Sequence, residues 1–273
     1  MTRIRLVGRP QHRHDPRSSG PPAALARALA FTALVAAAVA CASGSSNRIS
    51  DEDAGAPGVR RILLCPLNLV LGLRSEIQSG AQPVDREIVD YLELQGRVVV
   101  RIGVLEGRQQ WKQAFADAKA AGSLTSAARR FVERLAQKHE FDALVMPSLI
   151  LLQTRALDGE ASWDGVTRKM RMVNTPEKGV DRDDSTFTKG VAYGGVTGPA
   201  WVTSLHVLVF ARDGHKVFEG RGGIDFVQEV KVINADKASR WEPRPNSSLF
   251  EDRTLVREGV ERAFEPYLVP PDE

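Results

Sequence analysis

The sequence predicts a single α/β domain in which a mixed sheet is flanked by helices. Short apolar segments of strand length alternate with segments whose apolar residues recur with the period of a helix. One segment, residues 141–152, is almost continuously apolar, which is typical of a strand covered on both faces. The predicted order is strand, helix, strand, two helices, strand, hairpin and helix. It covers residues 59–273 and carries an insertion at 158–200.

Residues 1–40 have the composition of an export signal. Six arginines and one aspartate lie in this segment, which ends in thirteen apolar or small residues, 28–40. Such a run is shorter than a bilayer span, which needs about 20 residues. The sequence AVAC, residues 38–41, resembles the lipobox of bacterial lipoproteins, with alanine where leucine is usual. The resemblance implies that Cys41 is diacylated and becomes the N-terminus. Plain secretion and an uncleaved anchor are the alternatives.

The charge of the chain outside this signal excludes one class of partner. Without residues 1–40, 31 basic and 33 acidic residues remain, which gives a net charge of −2. Nucleic-acid binding needs a concentrated basic surface, so we expect no nucleic-acid partner. Residues 41–58 are small and polar and predict a flexible tether. Only Cys65 remains besides Cys41, and its apolar surroundings predict a buried thiol without a disulfide partner.

The first half of the predicted domain begins with a strand, a helix and a second strand. The apolar run 59–71 predicts a buried strand. Apolar residues recur every four positions between 84 and 92, and Gly96 is suited to end that helix. The valine-rich segment 97–105 predicts the next strand.

Two helices and the central strand follow. Apolar residues share one helical face in each of the segments 109–121 and 125–139. The central strand, 141–152, contains Pro147, which cannot donate a main-chain hydrogen bond. We therefore expect a bulge or an unpaired amide position at that proline.

The second half contains the insertion, a hairpin and a last helix. The insertion at 158–200 predicts loops or a loose hairpin, with strand character only at 168–173. Asp213-Gly214 lies between two apolar runs, a pattern typical of a hairpin turn. Ser248 and Glu251 fit a capping box that would begin the last helix, 248–268.

Apolar residues of that last segment fall on more than one side of a helix. The surplus indicates either a contact with a partner or a wide face buried within the domain. The residues are Leu249, Phe250, Leu255, Val256, Val260 and Phe264.

Three segments together resemble a known group of envelope proteins. They are "LLCPLNLV" at 63–70, "KHEFDALVMPSLILL" at 138–152 and "VLVFARDGHKVFEGRGG" at 207–223. In this order they look like the α/β domain shared by the curli-secretion lipoprotein CsgG, the PelC lipoprotein and the N-terminal domain of TolB. Pro147 and the insertion at 158–200 depart from that group. The resemblance implies a periplasmic α/β domain, which forms rings in CsgG and PelC and works within a single chain in TolB.

No residue pattern predicts catalysis, a cofactor or a metal. His139, His206 and His215 have no metal-ligand spacing. The acidic groups at 158–164 and 181–184 lack the spacing of a calcium loop. The glycines at 220, 222 and 223 form no phosphate-binding motif, and the chain has no G-x-S-x-G elbow.

These observations predict a non-enzymatic lipoprotein on the periplasmic face of the outer membrane. Cys41 is the one predicted site, as the lipidation site; Ala42 is not the aspartate that retains many lipoproteins at the inner membrane. Its partners would be the membrane and either an envelope protein or a second copy of the chain. Its predicted function is in envelope assembly, in secretion or in a regulatory contact. The alternative is a lipid-anchored small-ligand binder or hydrolase that uses residues 158–200 as a lid.

Overall fold

The fold comes from a computed structural model that describes residues 48–49, 58–70, 77–78, 80–94, 96–118, 123–175, 196–233 and 238–267. The predicted signal at 1–40, Cys41 and most of the predicted tether lie outside the described residues. Four helices fall within the described ranges: α1 (Gln82–Glu93), α2 (Val104–Ala118), α3 (Leu124–Ala136) and α4 (Arg253–Phe264). The strands there are β1 (Arg48–Ile49), β2 (Arg61–Leu64), β3 (Val98–Arg101), β4 (Ala143–Ala156), β5 (Glu160–Trp163), β6 (Val166–Lys169), β7 (Met172–Thr175), β8 (Gly198–Ala211), β9 (Lys216–Phe226), β10 (Gln228–Ile233) and β11 (Ala238–Pro243).

The main sheet is mixed, as the sequence predicts. Its six strands lie in the order β1-β9-β8-β4-β2-β3. Strand β2 runs parallel to both β3 and β4, whereas β4, β8, β9 and β1 pair antiparallel in succession. The α/β fold class with flanking helices is therefore confirmed.

Helices cover both faces of this sheet. On one face, α1 and α4 bury apolar residues spaced four apart, such as Ile88 and Leu92 on α1 and Val260 and Phe264 on α4. On the other face, α2 and α3 cover the sheet, and Phe131 of α3 is fully buried there. Each helix thus contributes one apolar stripe to a three-layer core.

The two longest strands extend beyond the helices. Strands β4 and β8 pair along all fourteen residues, from Ala143 opposite Ala211 to Ala156 opposite Gly198. Their far half is covered by the β5–β6 hairpin and by a small sheet in the order β11-β10-β7. A separate apolar cluster lies there, in which the Trp163 and Phe226 rings meet edge to face with centroids 5.2 Å apart.

Pro147 causes no bulge between the two long strands. Pro147 lies opposite Val207, and the register between β4 and β8 is unbroken. Its carbonyl accepts a hydrogen bond from the Asn68 main chain. The main-chain groups of Pro147 therefore point toward the β2 side of the strand, where β2 has already ended at Leu64. The Asn68 side chain continues the ladder, because its Oδ1 accepts from the Leu149 N–H at 2.7 Å and its Nδ2 donates to the Leu149 carbonyl at 3.2 Å. The absent N–H of Pro147 therefore removes no hydrogen bond between strands of the sheet.

Several helix boundaries differ from the sequence prediction. Helix α2 begins at Val104, inside the segment that the valines had predicted as strand. The capping box is wrong: Asp252 caps α4, its side chain accepting from the N–H groups of Thr254 and Leu255. Ser248 lies in a short 3-10 turn before the helix. The hairpin at Asp213-Gly214 is confirmed, with Gly214 at φ 85° between β8 and β9.

The insertion carries more strand than the sequence indicates. Its described part forms the β5–β6 hairpin, β7 and the beginning of β8. The predicted strand at 168–173 is divided between the end of β6 and the beginning of β7. Strand β1 lies within the segment predicted as a tether, and β10 and β11 had no predicted counterpart.

The apolar surplus near the C-terminus is buried within the chain. All of these side chains except Leu255 lie in the core beneath α1 and α4. Leu249 and Phe250 precede α4 rather than lie on it. The wide buried face is therefore the correct interpretation, and the five buried residues offer no surface to a partner.

Candidate functional site

The lipidation site predicted at Cys41 lies outside the described residues. The other cysteine, Cys65, is buried directly after β2, and burial raises the pKa of its thiol far above the usual range. A thiol without thiolate character is a weak nucleophile. Cys65 is therefore a core residue, in agreement with its apolar sequence context.

The predicted polar candidates do not converge on a metal. His139 Nε2 lies 3.0 Å from Glu106 Oε1, on the side of the sheet covered by α2 and α3. Asp158 and Asp164 adopt positive φ in the turns that flank β5. Among the described residues, no group of three or more histidine, cysteine, aspartate or glutamate side chains could hold a metal ion. The acidic residues at 181–184 lie outside the described ranges.

The glycine-rich segment of β9 allows close packing on both of its faces. A Cβ at Gly222 would lie 1.9 Å from the Gly259 carbonyl oxygen of α4, and one at Gly220 would lie 2.1 Å from the Ala263 carbonyl oxygen. On the opposite face, a Cβ at Gly223 would lie 2.4 Å from Val166 of the β5–β6 hairpin. These glycines let α4 and the hairpin approach the β9 backbone.

Polar side chains lie on one face of the central strands, between the helices and the hairpin. Ser148 of β4 is directly opposite His206 of β8. His206 Nε2 lies 3.0 Å from Glu219 Oε1 of β9, and Lys216 Nζ lies 2.6 Å from Glu219 Oε2. The His206 hydrogen bond is the largest cause that lowers the pKa of Glu219, with Lys216 adding to it, from 4.5 to about 2. The Ser204 hydroxyl, two residues before His206, is buried without a hydrogen-bond partner among the described residues.

The register sets Ser148 opposite His206, which binds the Glu219 carboxylate, although no hydrogen bond joins Ser148 to His206 in the described part of the chain. The sequence did not predict this arrangement. His206 is nearly buried, with 13 % of its side chain exposed, and Ser148 is buried. The signal in the sequence was one serine, Ser148, in an apolar run, and Ser204 with His206 at alternate positions of another. Such a set places its members on one face, but only the strand register shows that Ser148 and His206 are neighbours.

Two buried arginines connect the end of β9 to neighbouring elements, Arg244 to the turn before α4 and Arg168 to α4 itself. Arg244 donates to Asp225 Oδ2 at 2.5 Å, to the Phe226 carbonyl at 3.1 Å and to the Ser248 carbonyl at 2.5 Å. Arg168 of the hairpin donates to the Ile224 carbonyl at 3.2 Å and to Glu258 of α4 at 2.7 Å. Burial raises the pKa of Asp225 although Arg244 opposes that shift. The charges are paired internally, which is the arrangement of a structural network.

Besides the polar residues around His206 and the buried arginines, the open edge of the main sheet at β3 is a candidate site. Eight large apolar side chains of the described residues are exposed, and five of them belong to residues 94–105, which include β3. They are Leu94, Val98, Val100, Val104 and Leu105. Exposed apolar edge strands are uncommon in monomeric proteins because they pair with other chains. This edge is therefore the strongest candidate for an interaction surface.

Comparison of the chain with protein-family models, curated proteins and solved structures finds no match. None of the described helices is both long enough and apolar enough to cross a membrane.

Proposed function

We propose that this chain is a lipid-anchored envelope protein, held at the outer membrane through Cys41, whose α/β domain acts by binding other proteins. The observation that carries the proposal is the AVAC sequence at 38–41, placed between an arginine-led apolar segment and a small polar segment. The resemblance to the CsgG, PelC and TolB domains supports a role in envelope assembly, secretion or a regulatory contact.

Two features of the described domain support binding rather than catalysis. The buried charges at Arg244 and Arg168 are used to hold elements of the fold together. The sheet has an exposed apolar edge at β3. An edge of this kind is suited to contact with another polypeptide.

Substitution of Cys41 tests the anchor. Cys41→Ser removes the thiol that would carry the acyl chains, so the protein should leave the membrane fraction or remain unprocessed. Two or more acyl chains give lasting membrane attachment, whereas a single chain gives marginal attachment. The measurement is membrane fractionation together with the mass of the N-terminal peptide.

Two substitutions at the next residue complete this test. Ala42→Ser keeps the thiol and should leave the acyl mass and the membrane fraction unchanged. Ala42→Asp should move the protein to the inner membrane. Wild-type protein that is soluble without detergent and has no acyl mass would contradict the proposal.

A second candidate function, a lipid-anchored hydrolase, is favoured by the position of Ser148 opposite His206, which contacts Glu219. In this reaction the Ser148 oxygen would attack an ester carbonyl while His206 takes the hydroxyl proton. The alcohol would leave with that proton, and water would then release the acid. Of the predicted lid, the hairpin at 160–169 packs onto β9, where Arg168 donates to the Ile224 carbonyl.

A fluorophosphonate probe tests this second candidate. A hydrolase should be labelled at Ser148, and both Ser148→Ala and His206→Gln should abolish labelling. Ser162→Ala is the matched control, because Ser162 is an exposed serine on the hairpin. Wild-type protein that takes up no label would exclude a serine-based hydrolase.

A further inference from the structure

The open edge of β3 presents unpaired main-chain groups. Strand β3 pairs with β2 on one side, where the Val98 N–H donates to the Arg60 carbonyl and the Ile102 N–H to the Leu64 carbonyl. Because successive residues of a strand alternate in direction, Val99 directs its N–H and C=O to the other side. Within the described residues, no strand pairs with β3 on that side.

The charges that flank this edge are turned onto their own chain. Arg97 directs its Nε to the Val59 carbonyl at 3.3 Å, and burial lowers the pKa of its guanidinium. Arg101 forms an ion pair with Asp85 of α1. Natural edge strands are commonly protected by charged side chains that point outward, by proline or by a bulge. Residues 98–100 are three valines with none of these, so the middle of this four-residue strand lacks such protection, although the Arg101 side chain at its end stays 54 % exposed.

The side chains of this edge suit a second copy of the same edge. Val98 and Val100 lie on the same sheet face as Ile102, and they are 56 % and 37 % exposed. In an antiparallel pair centred on Val99, the two Val99 residues would exchange both main-chain hydrogen bonds. Val98 of each copy would then lie opposite Val100 of the other. Four exposed valines would be covered at once, which is the self-complementarity that a two-fold interface requires.

We infer that two copies of this chain pair antiparallel through β3, with Val99 opposite Val99, and form one continuous sheet of twelve strands. This surface differs from the C-terminal apolar residues that the sequence had indicated for self-association, because those residues are buried. The inference does not depend on lipidation of Cys41. The occupant is a second copy because its hydrogen-bonding positions and its valines match this edge. The same register sets Arg97 of one copy opposite Arg101 of the other, and each of these arginines is held by a partner on its own chain, the Val59 carbonyl for Arg97 and Asp85 for Arg101.

The mass of the full chain in mild detergent tests the pairing. Light scattering over a range of concentrations should give about twice the chain mass, for wild type and for Cys41→Ser alike. Equal masses for wild type and Cys41→Ser would show that the two copies do not associate through their acyl chains. Loss of pairing only in Cys41→Ser would show that the lipid, and not β3, brings the copies together, and would overturn the inference.

Lysine substitutions at the edge locate the interface. Val98→Lys and Val100→Lys should each raise the dissociation constant of the dimer about tenfold or more, because they place a charge against an apolar side chain. Trp201→Lys is the control, since Trp201 is 40 % exposed on β8, away from β3. Circular dichroism should show the wild-type spectrum for all three. Unchanged dimerisation in both valine variants would overturn the inference.

Engineered disulfides test the register. Val98 and the opposing Val100 would form a non-hydrogen-bonded pair with Cα atoms about 4.5 Å apart, within the range of a disulfide. The double variant Val98→Cys with Val100→Cys should therefore crosslink under mild oxidation. Either single variant should not, because its two thiols would lie diagonally across the strands. Equal crosslinking of Val98→Cys alone, or a monomer at every concentration, would contradict the pairing.

Discussion

One edge of the main sheet is covered by other parts of the chain, whereas the other edge is open in the described residues. At the β9 edge, Arg48 and Ile49 of β1 pair with Glu219 and Phe218, and the turn of the β5–β6 hairpin accepts the Gly223 N–H. At the β3 edge, the described residues provide no covering strand and leave valines exposed. A covered edge has its main-chain groups already paired, whereas an open edge remains available for binding. We therefore expect substitutions near β9 to lower stability and substitutions on β3 to alter association.

The largest effect should come from the buried charges below the β9 edge. Arg244→Ala leaves the Asp225 carboxylate buried without its main partner, which should lower the free energy of unfolding by about 3–5 kcal/mol. Denaturant unfolding measures the loss. Arg240→Ala is the control, because 74 % of the Arg240 side chain is exposed.

The same variant should depend on pH in a defined direction. Burial already raises the pKa of Asp225, and removal of Arg244 raises it further. A carboxyl whose folded pKa exceeds its unfolded pKa loses stability as pH rises between the two values. The deficit of Arg244→Ala relative to wild type should therefore be smaller at pH 4 than at pH 7. A deficit that is equal at both values would mean that Asp225 is not the unpaired group.

The next effect should come from the glycines between β9 and α4. Gly222→Ala places a Cβ against the Gly259 carbonyl and forces α4 away from the sheet, which should cost about 3 kcal/mol. Gly103→Ala, two residues after the end of β3, is the matched control because nothing lies within 4 Å of its Cβ position. Its free energy of unfolding should change by less than about 0.5 kcal/mol. Similar losses in both variants would remove the contrast between the edges.

A smaller, pH-dependent effect should come from Glu219. Glu219→Gln removes the carboxylate that binds His206 and Lys216, and should cost about 1 kcal/mol at pH 7, since the partly exposed side chain is screened by water. The pKa of Glu219 is about 2 when folded, against 4.5 ordinarily. Its contribution is therefore present above pH 4.5 and is lost as the pH falls towards 2. Unfolding curves of both proteins between these pH values measure the convergence.

The smallest effect on stability is expected at the open edge. Val100→Lys should change the free energy of unfolding of the monomer by less than about 0.5 kcal/mol, because the side chain is already partly in water. Unfolding at a protein concentration well below that of dimer formation measures the free energy of unfolding of the monomer alone. A loss above 1 kcal/mol would show that Val100 belongs to the core.

The sequence predicted the fold where periodicity alone decides the outcome. The apolar run at 141–152 and the turn at Asp213-Gly214 predicted β4 and the β8–β9 hairpin, because burial and turn geometry are local properties. The start of α2 was wrong because valines favour strands, whereas residues 104 and 105 belong to a helix that packs on the sheet.

The candidate sites depend on register, which a single sequence does not contain. Ser148 and His206 are 58 positions apart in the chain and become neighbours only because β4 and β8 pair without a break. The sequence does not show why β9 contains several glycines, because their role depends on the close packing of α4 against that strand. Cys41, by contrast, is predicted from a contiguous pattern, and it stays a prediction because it lies outside the described residues.

The position of β1 limits how far a lipid on Cys41 could lie from the main sheet. Seven peptide units separate Cys41 from Arg48, and fully extended they reach about 24 Å. Six strands at about 4.8 Å spacing span a similar width. Chain length alone would therefore keep a lipid on Cys41 within about one sheet width of β1, the strand at the β9 edge.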